Sequence, residues 1–191
     1  LCLTFTSRAC REMSDRIEQI VGEPAQDVLV RTVHSFCVWL LRQVPASNTD
    51  LHHDFTVCDQ SDGLEVNREV VFQVLGREIQ QPAAKLLQNC IDIFKDCWLE
   101  LPGASELDAA KFAFLNRKSE IERVCVDRQY RFDKKFFAFL SKYGASIVKM
   151  YDQKLMFNNL LDFSDLLLRA NAILSDPELM GLWKGRYRYV H

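Results

Sequence analysis

The amino-acid sequence predicts a predominantly helical α/β fold, in which an all-helical segment interrupts an α/β core. Three observations carry this prediction. Residues 1–43 alternate strand, helix, strand, helix, the order that builds a parallel sheet. Residues 61–157 then read as helix almost throughout, and residues 159–191 return to a helix followed by a strand-like end.

Taken in order, residues 1–6 form a short apolar strand, and Ser7 suits the N-cap of the next helix. In that helix, over residues 8–21, Ala9, Met13, Ile17 and Ile20 share one face, with Arg11, Asp15 and Glu18 opposite. Gly22 and Pro24 end it. Residues 27–31 read as a second strand. Thr32 caps a helix over residues 34–43 that is apolar almost all round and therefore buried. Beyond Pro45, Ser47 to Asp50 have loop composition, and residues 55–58 are extended. Helix breaks are expected near Gly76 to Pro82, at Pro102-Gly103 and around Gly144. Pro82 suits a helix start, after which Leu86, Leu87, Cys90, Ile91, Phe94 and Trp98 keep one face. Phe132, Phe136, Phe137, Phe139 and Tyr143 fit a helical core better than a stacking platform. Residues 161–174 read as a helix, Asp176-Pro177-Glu178 starts another, and residues 187–190 read as a strand.

Composition sets limits without assigning a role. A chain of 191 residues, 48% hydrophobic and 26% charged, is an ordinary globular sequence long enough to bury a core. Its net charge of -2 gives no global basic signature, but the charge is segregated. Residues 50–111 carry twelve acids against five bases, and residues 117–154 carry ten bases against five acids. The basic stretch fits a surface facing phosphates and a solvated helix face equally well. Seven scattered cysteines without a CxxC spacing argue for a reducing compartment and against a disulfide framework or a zinc site. No apolar run approaches a membrane span and no signal peptide opens the chain, so an intracellular site is expected, nuclear in a eukaryote and cytoplasmic in a bacterium. Leu1 already lies within a strand, which reads as part of a longer protein.

Three segments carry chemistry. At Thr4-Phe5-Thr6-Ser7-Arg8 a strand runs into a helix whose first N–H groups have no intrahelical partner, so the junction suits an anion. Phe5 beside it lets one short segment hold a phosphate and a base, while plain capping by Ser7 is the simpler reading. In Val30 to Cys37, Thr32, His34 and Ser35 stand at a helix mouth with groups that bond phosphate oxygens. A catalytic His–Ser pair is disfavoured there, because adjacent helical residues point apart and no acid sits at a telling spacing. In Asn159 to Leu167, Asp162 and Asp165 are three apart near a helix start, which suits compensation of the helix dipole better than a metal pair.

Together these segments resemble UvrD/Rep-type superfamily 1 DNA helicases. TFTSRACREM at residues 4–13 is similar to motif Ia (TFTNKAAREM), and TVHSFC at residues 32–37 to motif Ib (TFHSFC). NLLDFSDLL at residues 159–167 is similar to N-x-LDFDDLL, a candidate motif Id, commonly preceded by a Tyr as Tyr151 precedes it here. Residues 183–191 resemble the stretch just before the magnesium-binding DExx box. The matches cover roughly a third of the chain, at its two ends; the middle matches in being helical and in its place. Ser7, Arg8, Cys10, Val33 and Ser164 depart from the family pattern. Arg8 keeps the charge of the usual Lys and adds bidentate phosphate geometry, whereas Ser164 lacks the usual carboxylate.

The resemblance implies a partial RecA-like P-loop NTPase core. Residues 1–45 would be part of its domain 1A, residues 46–158 an inserted helical subdomain 1B, and residues 159–191 the return to 1A before the DExx box. It implies a parent that is an ATP-dependent 3′–5′ DNA helicase or translocase using ATP and Mg2+. Its partners would be single-stranded DNA, single-strand/duplex junctions and the remaining helicase domains of the same polypeptide, with no membrane. Thr4, Phe5, Thr6, Ser7, Arg8, Thr32, His34 and Ser35 would bind DNA, with Asp162, Phe163 and Asp165 as motif Id. The chain contains no GxxxxGK[ST] loop and no DExx box, so no catalytic, cofactor or metal residue is assigned within it, and alone it should not hydrolyse ATP. The alternatives are an ATPase-inactive, helicase-like nucleic-acid-binding scaffold and a helical protein-interaction module.

Overall fold

The computed structural model describes residues 1–22, 27–45, 51–101, 105–130 and 133–191. Pro24, the Ser47–Asp50 loop, the Pro102-Gly103 break and Phe132 lie outside the described residues. The chain divides into two compact units, residues 1–53 with 169–191, and residues 54–168.

In the first unit, β1 (Cys2–Thr4) leads into α1 (Ser7–Val21), and β2 (Val30–Thr32) into α2 (Val33–Leu41). β1 and β2 pair in parallel, with Cys2 opposite Val30, Leu3 opposite Arg31 and Thr4 opposite Thr32. The α1 N-cap is Thr6, not Ser7. Thr6 has extended backbone and its hydroxyl accepts from the Ala9 N–H at 3.1 Å, while Ser7 is already helical. Gly22 ends α1 at φ 72°, a left-handed turn that glycine enters without penalty. Thr32 caps α2 as the sequence predicts, and Cys37, Leu40 and Leu41 of that helix are buried with Val44 and Leu51. Ala170 and Ile173 in the second half of α8 (Phe163–Ser175) are buried too, and α9 (Pro177–Gly181) is capped by Asp176. Residues 187–190 form no strand. Instead His191 donates its N–H to Leu1 O and accepts from the Leu3 N–H, and Tyr189 O accepts from the Leu1 ammonium at 3.0 Å. Trp39 of α2 packs edge-on against Trp183, with centroids 5.1 Å apart, and Arg186 lies over both rings.

In the second unit, α3 (Gln60–Leu75), α4 (Gln81–Glu100), α5 (Glu106–Asn116), α6 (Lys118–Asp127) and α7 (Lys134–Phe157) surround one core, built around Val70, Val71, Leu86, Phe94, Ile121, Ile147 and Tyr151. The expected break at Gly144 is absent. α7 runs through it because Gly144 is itself buried on a face shared with Leu140, Ile147, Val148 and Tyr151, and that packing offsets the low helix propensity of glycine. Phe136, Phe139 and Tyr143 pack against the core, whereas Phe137 is exposed. Thr56–Val57 (β3) pairs in parallel with Leu160–Leu161 (β4), so α8 starts at Phe163 and not at Leu161. Pairing with the distant β3 outweighs the helical periodicity of the two leucines.

Gly63 of α3 faces the phenol of Tyr151, and a Cβ there would lie 2.9 Å from the Tyr151 oxygen. Tyr151 is fully buried and its oxygen accepts from Gln88 Nε2 at 3.1 Å, so it has little room to yield. Gly63→Ala should therefore destabilise the protein by about 1–3 kcal/mol in urea denaturation, despite a gain of about 1 kcal/mol in helix propensity.

Candidate functional site

The parallel register sets Thr4 beside Thr32, so both strands of the first unit end level. From that shared edge each chain enters a helix, α1 after Thr6 and α2 after Thr32. The C-terminal edge of parallel strands is where α/β sheets bind ligands, and helix N-termini carry N–H groups and positive dipole ends. The Thr6 hydroxyl serves Ala9, and the N–H groups of Ser7 and Arg8 precede it in the first turn. At α2 the Ser35 N–H donates to Thr32 Oγ1 at 3.1 Å, and the Ser35 hydroxyl donates to Thr32 O at 3.0 Å.

The side chains at this edge differ in what they offer. Phe5 is 91% exposed, an aromatic ring held out from the strand end. Thr6, Ser7 and Arg8 are exposed, and His34 is half-buried. Arg8 Nε bonds Glu12 Oε1 at 2.8 Å, an exposed i,i+4 pair. Such a pair is worth only a few tenths of a kcal/mol, so an incoming anion displaces Glu12 at small cost. Thr4 is buried, with its hydroxyl donating to Thr6 O at 3.1 Å and lying 2.8 Å from Cys10 Sγ. It shapes the turn and does not present a group at the surface.

In the second unit, Asp162 and Asp165 bracket the start of α8. Asp162 Oδ1 accepts from the Asp165 N–H at 2.8 Å, and Asp165 Oδ2 accepts from the Asp162 N–H at 3.3 Å. This reciprocal pattern is a capping box, in keeping with the dipole-compensating role predicted for the pair. Both carboxylates also hold Lys95 of α4, whose side chain has no solvent exposure. Lys95 Nζ lies 2.8 Å from Asp162, 2.6 Å from Asp165 and 2.8 Å from Asp152 of α7. Burial pushes a lysine down, but here Asp165, Asp152 and Asp162 outweigh it and hold Lys95 above the usual lysine range. Burial pushes the Asp165 carboxyl up, against the pull of Lys95. Burial, aided by the Asp162 charge, raises Asp92 to about 6. Phe163, between the two capping acids, is 53% exposed.

The comparisons with known proteins agree with these segments. The family model for the UvrD/REP helicase N-terminal domain matches residues 1–191. This chain belongs to that family. Among its relatives is the ATP-dependent DNA helicase PcrA of Staphylococcus epidermidis, 28% identical over 199 aligned positions that take in all of this chain and 22% of the relative. PcrA of Staphylococcus aureus strain Mu50 is 27% identical over the same shares. The chain thus spans about a fifth of the length of the curated relatives it matches.

Within this UvrD/REP N-terminal domain, no group of His, Cys, Asp or Glu among the described residues is arranged to hold a metal ion. No helix among them is long and apolar enough to cross a membrane. Sequence reasoning missed Lys95. The signal was present, since Lys95 follows Ile91 by four residues and so falls on the apolar stripe of α4 beside Phe94 and Trp98.

Lys95→Met should destabilise the protein by about 3–5 kcal/mol in chemical denaturation, because it leaves the buried Asp162 and the part-buried Asp152 and Asp165 without their cation. Asp92 supplies a pH test. Its folded pKa of about 6 exceeds the ordinary aspartate value of 3.8, so the folded state retains a proton that the unfolded chain releases. Its contribution to stability is complete below pH 3.8 and is lost as pH rises to about 6. Urea midpoints measured across that window should fall less steeply with pH in Asp92→Asn than in the wild type.

Proposed function

We propose that this domain is the single-stranded-DNA-binding part of an ATP-dependent 3′–5′ DNA helicase or translocase. The observation that carries this reading is the Thr4–Thr32 register, which sets two helix N-termini on one strand edge beside the exposed ring of Phe5. The N–H groups at the start of α1, the exposed hydroxyl of Ser7 and the guanidinium of Arg8 grip one phosphate. The start of α2, with His34 and the capping pair Thr32 and Ser35, holds another. The Thr6, Thr32 and Ser35 hydroxyls are engaged in capping, so their main service is to fix the helix starts, and Thr4 fixes the turn before α1. Phe5 stacks on a base, an interaction worth about 1–3 kcal/mol and tolerant of sequence. Separately, in the second unit, the half-exposed ring of Phe163 at the candidate motif Id offers a second stacking face.

The chain carries neither a phosphate loop nor a DExx box, so ATP and Mg2+ are held by parts of the longer polypeptide, and no step of nucleotide chemistry involves the residues described here. Closure of the helicase domains around ATP would move the grip along the strand. Single-strand/duplex junctions are the substrates. The protein works inside the cell, in the cytoplasm if its source is bacterial like the PcrA relatives.

Two measurements on the full-length protein test the reading. Arg8→Ala should weaken single-strand binding and flatten the salt dependence by one phosphate contact, a slope change of about 0.7 in log K against log salt. Phe5→Ala should weaken binding by about 1–3 kcal/mol with the salt slope unchanged. Wild-type affinity and slope in both variants would overturn this assignment of the strand edge.

A further inference from the structure

We propose that Lys95 is the positioning residue for Phe163. By binding the carboxylates on both sides of that phenylalanine, it holds the ring at the surface where a DNA base stacks. The inference rests on the reading of Phe163 as a stacking residue and goes beyond it.

Two constraints fix the start of α8. The reciprocal bonds of Asp162 and Asp165 set the local geometry of the first turn, as any capping box does. They do not set where that turn sits among the other helices of the unit. Lys95 supplies this second constraint. Its ammonium group, on α4, meets Asp162 and Asp165 at the start of α8 and Asp152 on α7, so one atom ties three helices together at the position of Phe163. The tie is made without solvent contact on the lysine side, where charge-assisted bonds are strong and directional.

Phe163 lines a cavity of about 420 Å³ that is also bounded by Cys58, Gly63, Gln88, Asp92 and Tyr151. Phe163 is 53% exposed and this space lies against it, so the placement of the first turn of α8 decides how far the ring stands out. The Lys95 ammonium also lies 5.4 Å from the Tyr151 ring centroid, so the same side chain supports a wall of the cavity. A lysine with no exposure and no contact with nucleic acid thereby sets the geometry of a stacking residue.

The test is a double-mutant cycle in the full-length protein, read by single-stranded-DNA affinity and by quenching of 2-aminopurine in the strand. Lys95→Met is combined with Asp152→Asn, Asp162→Asn and Asp165→Asn, which removes the cluster's charge, keeps side chains that cap a helix, and avoids stranding buried carboxylates. Phe163→Ala alone should weaken binding about ten-fold and reduce the quench, as loss of one stacked base does. The neutralised cluster should cause a similar loss of affinity and quench, and should add nothing further in the Phe163→Ala background. A purely structural cluster would lower the melting temperature and leave the quench intact, and that result overturns the inference alone. If Phe163→Ala binds DNA like the wild type, the stacking role of Phe163 falls and the inference falls with it. Should the neutralised protein fail to fold, Asp152→Asn carries the same test, since it removes one anchor of Lys95 away from the start of α8. A partial loss of quench that vanishes in the Phe163→Ala background supports the proposal, and additive losses overturn it.

Discussion

A lysine ammonium with no access to water must have its charge answered by the protein, and Lys95 is answered three times. An isolated charge in such a place costs several kcal/mol, so the helices that supply its carboxylates cannot drift apart without incurring that cost. This gives the second unit a property its apolar core alone would not. Aliphatic side chains such as Leu86, Ile147 and Leu155 tolerate small sliding of one helix past another, because dispersion is not directional. An ammonium group held at 2.6 to 2.8 Å by three carboxylates does not. The segment singled out by its resemblance to a helicase motif is therefore also the structural junction of its unit.

The first unit solves a different problem. Its two strands are only three residues long, too short to anchor much by themselves. Their parallel pairing, however, forces the chain to leave both strands in the same direction. Two helix starts then share one edge, and each is finished by a threonine cap. Capping secures the helices and orients their remaining first-turn N–H groups outward, so stabilising the fold and preparing an anion site are one act. The exposed, weakly paired Arg8 and the exposed Phe5 add charge and a stacking surface where they meet little competition within the protein.

Much of this was legible beforehand, for local reasons. The caps at Thr32 and Asp176 are set by side chains that reach two or three residues along the chain. The cap at α1 was displaced by one residue, since Thr6 and Ser7 carry the same chemistry and only the backbone decides between them. The glycine break at 144 failed because burial against neighbouring helices outweighs a propensity difference of about 1 kcal/mol. The short strand at Leu160–Leu161 was hidden because its partner, Thr56–Val57, lies more than a hundred residues earlier. Two leucines before a helix look like more of that helix.

The sequence by itself determined the family and several helix ends, among them those at Gly22, Thr32, Gly76 and Asp176, because motifs and caps are written over a few adjacent positions. It also placed Phe5 and Arg8 at a strand-to-helix junction and Asp162 near a helix start. Only the tertiary structure decided that Thr4 faces inward, that Thr4 and Thr32 end level, and that Asp162 meets a lysine 67 residues away. The reason is physical. Capping bonds and hydrophobic periods act within a few turns of one chain, whereas register and ion pairing depend on which distant segments the packed core brings together.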